Sequence, residues 1–275
     1  MKILFFGLGY VSSRLLTELS ENNECVVISR SSPRIDTVLH YKFGYDLSEL
    51  AKDFTHIIIS IPPINGADAV LNSYKQFILS CNQLKWLGYL SSTTVYGNHN
   101  GAFVDEYSEI NARDVFSTTR AQVEREWLSL YRKNSVPSHI FRLSGIYGPG
   151  RSAIDSILNN EAKKIVKKDH YFSRIHVDDI CGILIKSMCK PEAGSIYNLS
   201  DDLPAAHHEV LDYACDLLSV PHLPEVDYED SVVSERMKSF YDNNKRVSNN
   251  KIKQELCYTL KYPSYKEGLS AIKEI

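Results

Sequence analysis

Small hydroxyl side chains crowd one point of the chain, Ser91-Ser92-Thr93-Thr94, directly after the apolar stretch Trp86 to Leu90 and just ahead of the phenol of Tyr96. Such a stretch reads as a buried strand, and open α/β sheets take their ligands at the carboxyl ends of strands. A hydroxyl held there can orient a carbonyl or an alcohol. A phenol nearby can serve as an acid, although most of the 17 tyrosines must be structural. A strand-end cap is the competing account of Ser92.

The second feature is Gly7-Leu8-Gly9-Tyr10-Val11-Ser12, a GxGxxG pattern with serine at its third position. Two glycines let the backbone turn tightly and approach a pyrophosphate, which the unpaired amides and dipole of a helix N-terminus then hold. The turn follows the apolar strand Lys2 to Phe6 and opens a stripe of Val11, Leu15, Leu16 and Leu19 running to Glu21, the context a dinucleotide site needs. A plain strand–helix turn is the alternative. The next strand, Cys25 to Ser29, ends at Ser29-Arg30, twenty-one residues after Gly9. An acidic residue there would bind the ribose 2′-hydroxyl of NAD, whereas arginine favours a 2′-phosphate. NADP is therefore the expected cofactor, with NAD the alternative, Arg30 the reader and Arg34 its assistant. A solvated loop arginine is the other account of Arg30.

His176 with Asp178-Asp179 has the residue types of a metal pair, but a run of this kind more readily anchors a loop, and no metal is expected. His207-His208 reads as surface. The six cysteines form no CxxC pair, which argues against a zinc knuckle or dithiol site and for buried thiols in a reducing compartment.

These groups need a scaffold. Strand-length apolar runs alternate with helix-period stretches through the first two-thirds, the pattern of parallel βαβ units. Strands are expected at His56 to Ile61, stopped by Pro62-Pro63, and at His139 to Ser144. Helices are expected at about Ala67 to Asn82, Ser117 to Lys133 and Pro204 to Leu218. The fold class is α/β, a doubly wound parallel sheet over residues 1–148 with return segments near 174–200. A smaller C-terminal α/β substrate lobe follows over 149–275.

With 43% hydrophobic and 24% charged residues, the 275-residue chain can bury a full core. Its 31 basic and 34 acidic residues form no basic stripe, so nucleic acid is not an expected partner. Four apolar residues before Gly7 are too few for a signal peptide or a membrane span, and a cytoplasmic location is expected.

Several segments carry a family resemblance. Besides the glycine turn they are Leu90-Ser-Ser-Thr-Thr-Val-Tyr-Gly97, Phe141-Arg-Leu-Ser-Gly-Ile-Tyr-Gly-Pro-Gly-Arg151, Arg174-Ile-His-Val-Asp-Asp179 and Ile196-Tyr-Asn-Leu-Ser-Asp201. Five segments in this order resemble the extended short-chain dehydrogenase/reductases, the NAD-dependent epimerase/dehydratases, across nearly the whole chain. Asn244 to Asn249 and Tyr262 to Gly268 resemble an atypical subgroup. The resemblance implies a Rossmann fold, an NAD(P)-dependent oxidoreductase or epimerase-like activity, a small-molecule substrate such as a sugar nucleotide or other anionic carbonyl compound, and a homodimer.

It makes Ser92, four residues before Tyr96, catalytic. Where the family has YxxxK, this chain has Phe116-Ser-Thr-Thr-Arg120. Tyrosine, with a reference pKa of about 10, needs the lysine and the cofactor to stabilise its phenolate. Phe116 has no proton to exchange, while Arg120 keeps the charge and donors to reach the nicotinamide ribose. A catalytically inactive cofactor sensor or partner-binding module is the other implied function. Gly145 stands where many sugar-nucleotide members have asparagine.

Catalysis is accordingly assigned to Ser92, Tyr96 and Arg120. Cofactor contact is assigned to Gly7, Gly9, Tyr10, Val11, Ser29, Arg30, Ile61, Pro62, Ser91, Arg120 and Ile146. Substrate contact is assigned to Ser92, Tyr147, Arg151 and Arg246, although solvated faces account equally well for the arginines.

Overall fold

Four successive apolar side chains, Ile3 to Phe6, are buried on both faces of strand β1 (Lys2–Phe6), as a central strand of a parallel sheet requires. In this computed structural model, which describes residues 1–275 except 34, 36–37, 51–52, 65, 231–232, 234–237, 239 and 275, β1 pairs in parallel with β2 (Glu24–Ser29) and β4 (His56–Ile59). Phe6 thereby sits between Ile28 and Ile59. Edge strand β3 (Leu39–Lys42) adds to β2, and β5 (Trp86–Ser92) adds to β4, both in parallel.

Helix α1 (Tyr10–Leu19) follows β1, α2 (Ala69–Ser80) follows β4, and α3 (Val115–Asn134) precedes β7 (Ser138–Leu143). Past the short β6 (Phe103–Val104), β8 (Gly145–Tyr147), β9 (Lys164–Val166) and β10 (Arg174–His176), the last sheet strand is β11 (Ile196–Leu199). The sheet order is β11-β7-β5-β4-β1-β2-β3. Strand order reverses beside β1, which makes the sheet doubly wound as expected, and open sheets of this kind take ligands beyond the carboxyl ends of the strands at such a reversal, here β1 and β4.

The remaining elements are α4 (Ala153–Leu158), α5 (Val177–Cys189), α6 (His207–Leu218), β12 (Glu225–Asp227), β13 (Arg246–Val247), α7 (Asn250–Glu255) and α8 (Tyr265–Lys273). Small parallel pairs β8–β10, β9–β12 and β6–β13 hold them in register. The chain divides into two compact units. One comprises 1–92, 114–142 and 181–197; the other comprises 93–113, 143–180 and 198–275.

In the first unit the rings of His56 and His139 lie 6.3 and 5.7 Å from that of Trp86, whose Nε1 donates to Ser187 Oγ. Burial pushes both imidazoles down to about 4, so each is neutral at pH 7. Asp68 is 2% exposed and caps α2 by accepting from the amides of Val70 and Leu71. Its other oxygen accepts from Trp127 Nε1 of α3, pinning two helices to one carboxylate.

Several boundaries differ from the sequence expectation for local reasons. Helix α1 stops at Leu19 rather than Glu21 because Asn23 Nδ2 donates to the Leu19 carbonyl. Helix α6 starts at His207 rather than Pro204 because Ala205 is spent in a β-bridge with Phe172. His207 is half-buried rather than on the surface, and burial lowers its imidazole to about 4. Cys25, Cys81, Cys181 and Cys215 are buried, whereas Cys189 and Cys257 are exposed, contrary to the expectation for all six. No helix among the described residues is long and apolar enough to cross a membrane.

Candidate dinucleotide and active site

The glycine turn is shaped by two different demands. Gly7 has φ +98°, and a Cβ there would stand 2.6 Å from Ser60 Oγ and 3.0 Å from Ile61 Cγ1. Only glycine lets β1 pass so close to the end of β4. Gly9 has extended backbone and is the N-cap of α1, where glycine offers no capping side chain, and a Cβ there would meet no atom within 4 Å. Helices α2 and α3, by contrast, are capped by Asp68 and Asp114. The ten-residue α1 therefore begins without a side-chain cap from its N-cap residue and with open space beside that residue, which suits the approach of a pyrophosphate. Ser12, at the third glycine position, is completely buried, so a small side chain keeps α1 close to the sheet. Val11 is buried and Tyr10 half-buried.

At the end of β2, Ser29 is buried and donates to the Ser31 carbonyl, and Arg30 is exposed. His40, opposite Val27 in the β2–β3 register, brings Nε2 to 3.2 Å from Ser29 Oγ and Nδ1 to 3.3 Å from Ser32 Oγ. Sequence reasoning missed His40 because nothing in a four-residue edge strand of mixed polarity marks it. Arg34 lies outside the described residues. Ile61 is half-buried and Pro62 exposed beyond β4.

The end of β5 is fixed by a buried ionic cluster. Ser91 Oγ donates to Glu124 Oε1 at 2.6 Å, and Arg142 donates from Nη2 to Glu124 Oε2 at 2.7 Å and from Nε to both oxygens. The side chains of Arg142 and Glu124 are 3% and 2% exposed. Their only advance signal is the apolar helix face on which Glu124 intrudes. Ser92 follows, half-buried. Tyr89, two residues before Ser91 on the same strand face, stacks on Trp127. Burial drives its phenol upward and the guanidinium of Arg120 pulls it back. Arg120 is half-buried, and one turn earlier Phe116 is 80% exposed.

In the second unit, the phenols named from the sequence have protein partners. Tyr96 is fully buried and donates to Asn198 Oδ1 at 2.7 Å, while the Asn198 amide donates to Glu106 Oε1. Tyr147 donates to the Ser264 carbonyl and closes over Gly268, where a Cβ would fall 2.2 Å from its hydroxyl. Ile146 is half-buried opposite Ile175. Arg151 is exposed and bridges Gly148 through its backbone. Arg246 donates to the Gly101 carbonyl and lies 4.6 and 5.1 Å from the rings of Phe103 and Tyr171. Asp179 accepts from the amides of Lys261 and Tyr262 and the hydroxyl of Tyr258, an anchoring arrangement.

A sequence model of the NAD dependent epimerase/dehydratase family matches residues 64–200, which hold the Ser92, Phe116–Arg120 and Arg174–Asp179 segments. The glycine turn precedes the matched stretch. A functionally unknown conserved protein from Silicibacter pomeroyi is 35% identical with a TM-score of 0.90, covering 99% of this chain and 98% of its own.

The chain belongs to the NAD dependent epimerase/dehydratase family.

Other structures of this family type share the fold at lower identity. UDP-glucuronic acid 4-epimerase from Bacillus cereus, in complex with NAD, is 17% identical with a TM-score of 0.78 over 100% of this chain and 96% of that one. A human epimerase family protein with NADPH is 16% identical with a TM-score of 0.75 over 99% of each. Among curated proteins, ADP-L-glycero-D-manno-heptose-6-epimerase of Brachyspira hyodysenteriae is 28% identical over 127 residues, which is 41% of this chain. The match spans 40% of that relative's length.

Proposed function

We propose that this family member binds NADP at the N-terminus of α1 and acts as an oxidoreductase or epimerase-like enzyme on a small molecule with a carbonyl or alcohol. The observation that carries this is the α1 N-terminus at Gly9, where the N-cap glycine offers no side-chain cap and has open space beside it, while Gly7 packs against Ser60 and Ile61. Gly7, Gly9, Tyr10, Val11, Ile61 and Pro62 would hold the pyrophosphate and its surroundings. Arg30, with Ser29 and His40 beside it, would read the 2′-phosphate. NADP supplies or accepts a hydride when bound. Ser92 orients the reacting oxygen, held at the end of a strand that Ser91 ties to Glu124. Arg120 would hold the cofactor ribose, and Ser92, with a water or another acid, would supply the proton transfer that Phe116 cannot. Arg246, which donates to the Gly101 carbonyl and lies against two rings, and the exposed Arg151 remain candidates for an anionic substrate group. The names of the heptose and glucuronic acid epimerases favour sugar nucleotides as the substrate class.

The test is NADPH oxidation, and NADP reduction, across carbonyl compounds and sugar nucleotides. Turnover that Ser92→Ala removes supports the reading. No turnover on any of them, with cofactor still bound, ends it.

A second reading, a cofactor-binding module without catalysis, is favoured by one specific arrangement. Phe116 carries no phenol, and the phenols of Tyr96 and Tyr147 both donate to protein acceptors. A fully active parent protein rules this out.

A further inference from the structure

At the end of β2, a chain of hydroxyl and imidazole hydrogen bonds fixes where each proton lies. Ser29 Oγ gives its own proton to the Ser31 carbonyl, so toward His40 Nε2, 3.2 Å away, it can only accept. The Ser29 carbonyl, 3.3 Å from the same nitrogen, is an acceptor as well. Nε2 therefore carries the ring hydrogen, and in the neutral imidazole Nδ1 is bare. Ser32 Oγ stands 3.3 Å from Nδ1 and must donate to it. The Ser32 hydroxyl thus turns its proton inward and only lone pairs outward, the wrong polarity for an anion. A proton added to His40 reverses this. Nδ1 becomes a donor, Ser32 Oγ accepts from it, and the hydroxyl proton is released to face outward.

The surroundings tie that added proton to an anion. His40 is half-buried on edge strand β3, and among the described residues its polar partners are Ser29 and Ser32. The charged side chains beside it are cations. Arg30 follows Ser29, and Lys42 lies opposite Ser29 in the β2–β3 register, two residues after His40 and so on the same face of the strand. Both are exposed. Arg34 and Asp36 lie outside the described residues. Two cations oppose a third charge at His40 until an anion lies among them.

Resting on the NADP reading, we propose that His40 is a specificity residue that gains a proton as the 2′-phosphate binds, turning the Ser32 hydroxyl to donate to it, with Lys42 as a further cation there. One proton passes from solvent to Nδ1, and no bond of the cofactor is made or broken.

The experiment is calorimetric titration of NADPH into the full chain, with NADH as the control that lacks the phosphate, in buffers of different ionisation heat. Above about pH 7 the phosphate is already a dianion, so any proton taken up goes to the protein. NADPH is expected to take up as much as about one proton per molecule bound and to lose affinity as pH rises, whereas NADH takes up none and stays level. His40→Gln should remove the uptake and weaken NADPH by about threefold or more near neutral pH, leaving NADH unchanged. The parent's own uptake decides the matter should that variant misfold, and Ser32→Ala, at an exposed loop position, should weaken NADPH in the same way. NADPH binding without proton uptake, equal uptake with NADH, or undiminished uptake in His40→Gln overturns the proposal and leaves the cofactor reading standing. Failure of both nucleotides to bind overturns the cofactor reading and this proposal with it.

Discussion

Ser91 donates its hydroxyl to Glu124 at 2.6 Å, and that carboxylate, buried midway along α3, also takes the fork of Arg142 from β7. One charge thus joins the strand end that presents Ser92 to the helix that presents Phe116 and Arg120. Removing one partner leaves the other charged and buried. Glu124→Ala is expected to cost about 3–5 kcal/mol in urea denaturation, and the double change Glu124→Leu with Arg142→Met is expected to cost less than the sum of the singles. Strict additivity would show that the cluster does not act as a unit.

The two glycines of the turn should separate under substitution. Gly7→Ala places a methyl against Ser60 at a positive φ and should lower stability by about 1–3 kcal/mol. Gly9→Ala meets nothing and should change stability by less than about 1 kcal/mol, while weakening NADPH binding. Thermal melts with and without NADPH read both effects. Equal stability losses would contradict the assignment of Gly9 to ligand approach.

Phe116 is exposed, so Phe116→Tyr with Arg120→Lys should alter stability by little, about 0.5 kcal/mol for the exposed site. If catalysis has been lost, this pair should create NADPH oxidation on a carbonyl substrate the parent ignores. If the parent is active through Ser92, the pair should leave a comparable rate on the parent's own substrate. Initial rates on both proteins decide between them.

Acid should destabilise the fold through its buried histidines. Burial holds His56, His139, His170 and His207 near 4, below the ordinary 6.5, so between those values the unfolded chain binds more protons. Their contribution is full above pH 6.5 and is lost as pH falls toward 4. Asp201 acts oppositely, losing stability as pH rises toward 8. His139→Gln should flatten the dependence between pH 4 and 6.5 by about 1.4 kcal/mol per pH unit. An unchanged slope would show that His139 titrates normally in the folded protein.

What could be read from the sequence followed from how local each cause is. The β1–turn–α1 unit was legible because a continuous apolar run, two glycines and a helical stripe lie within about twenty residues. The doubly wound sheet followed from repetition of that unit. The Asn23 contact that ends α1 and the Ala205–Phe172 bridge that delays α6 depend on partners that propensity does not see. At the site, Gly7, Gly9 and Ser91 were marked by spacing. Glu124 was not, since a lone polar residue on an apolar helix face announces burial without naming its partner. Tyr96 and Tyr147 illustrate the converse. Their types suggested chemistry, and the hydrogen bonds that their phenols donate to Asn198 and Ser264 could not be read from type or spacing.

Calorimetric titration of NADPH and NADH into the parent and Arg30→Ala proteins tests the central claim most directly. Arg30→Ala should weaken NADPH by about tenfold or more, equivalent to about 1.4 kcal/mol, and leave NADH nearly unchanged. Absence of binding by either nucleotide to the parent would contradict the claim that the open N-terminus of α1 is a dinucleotide site.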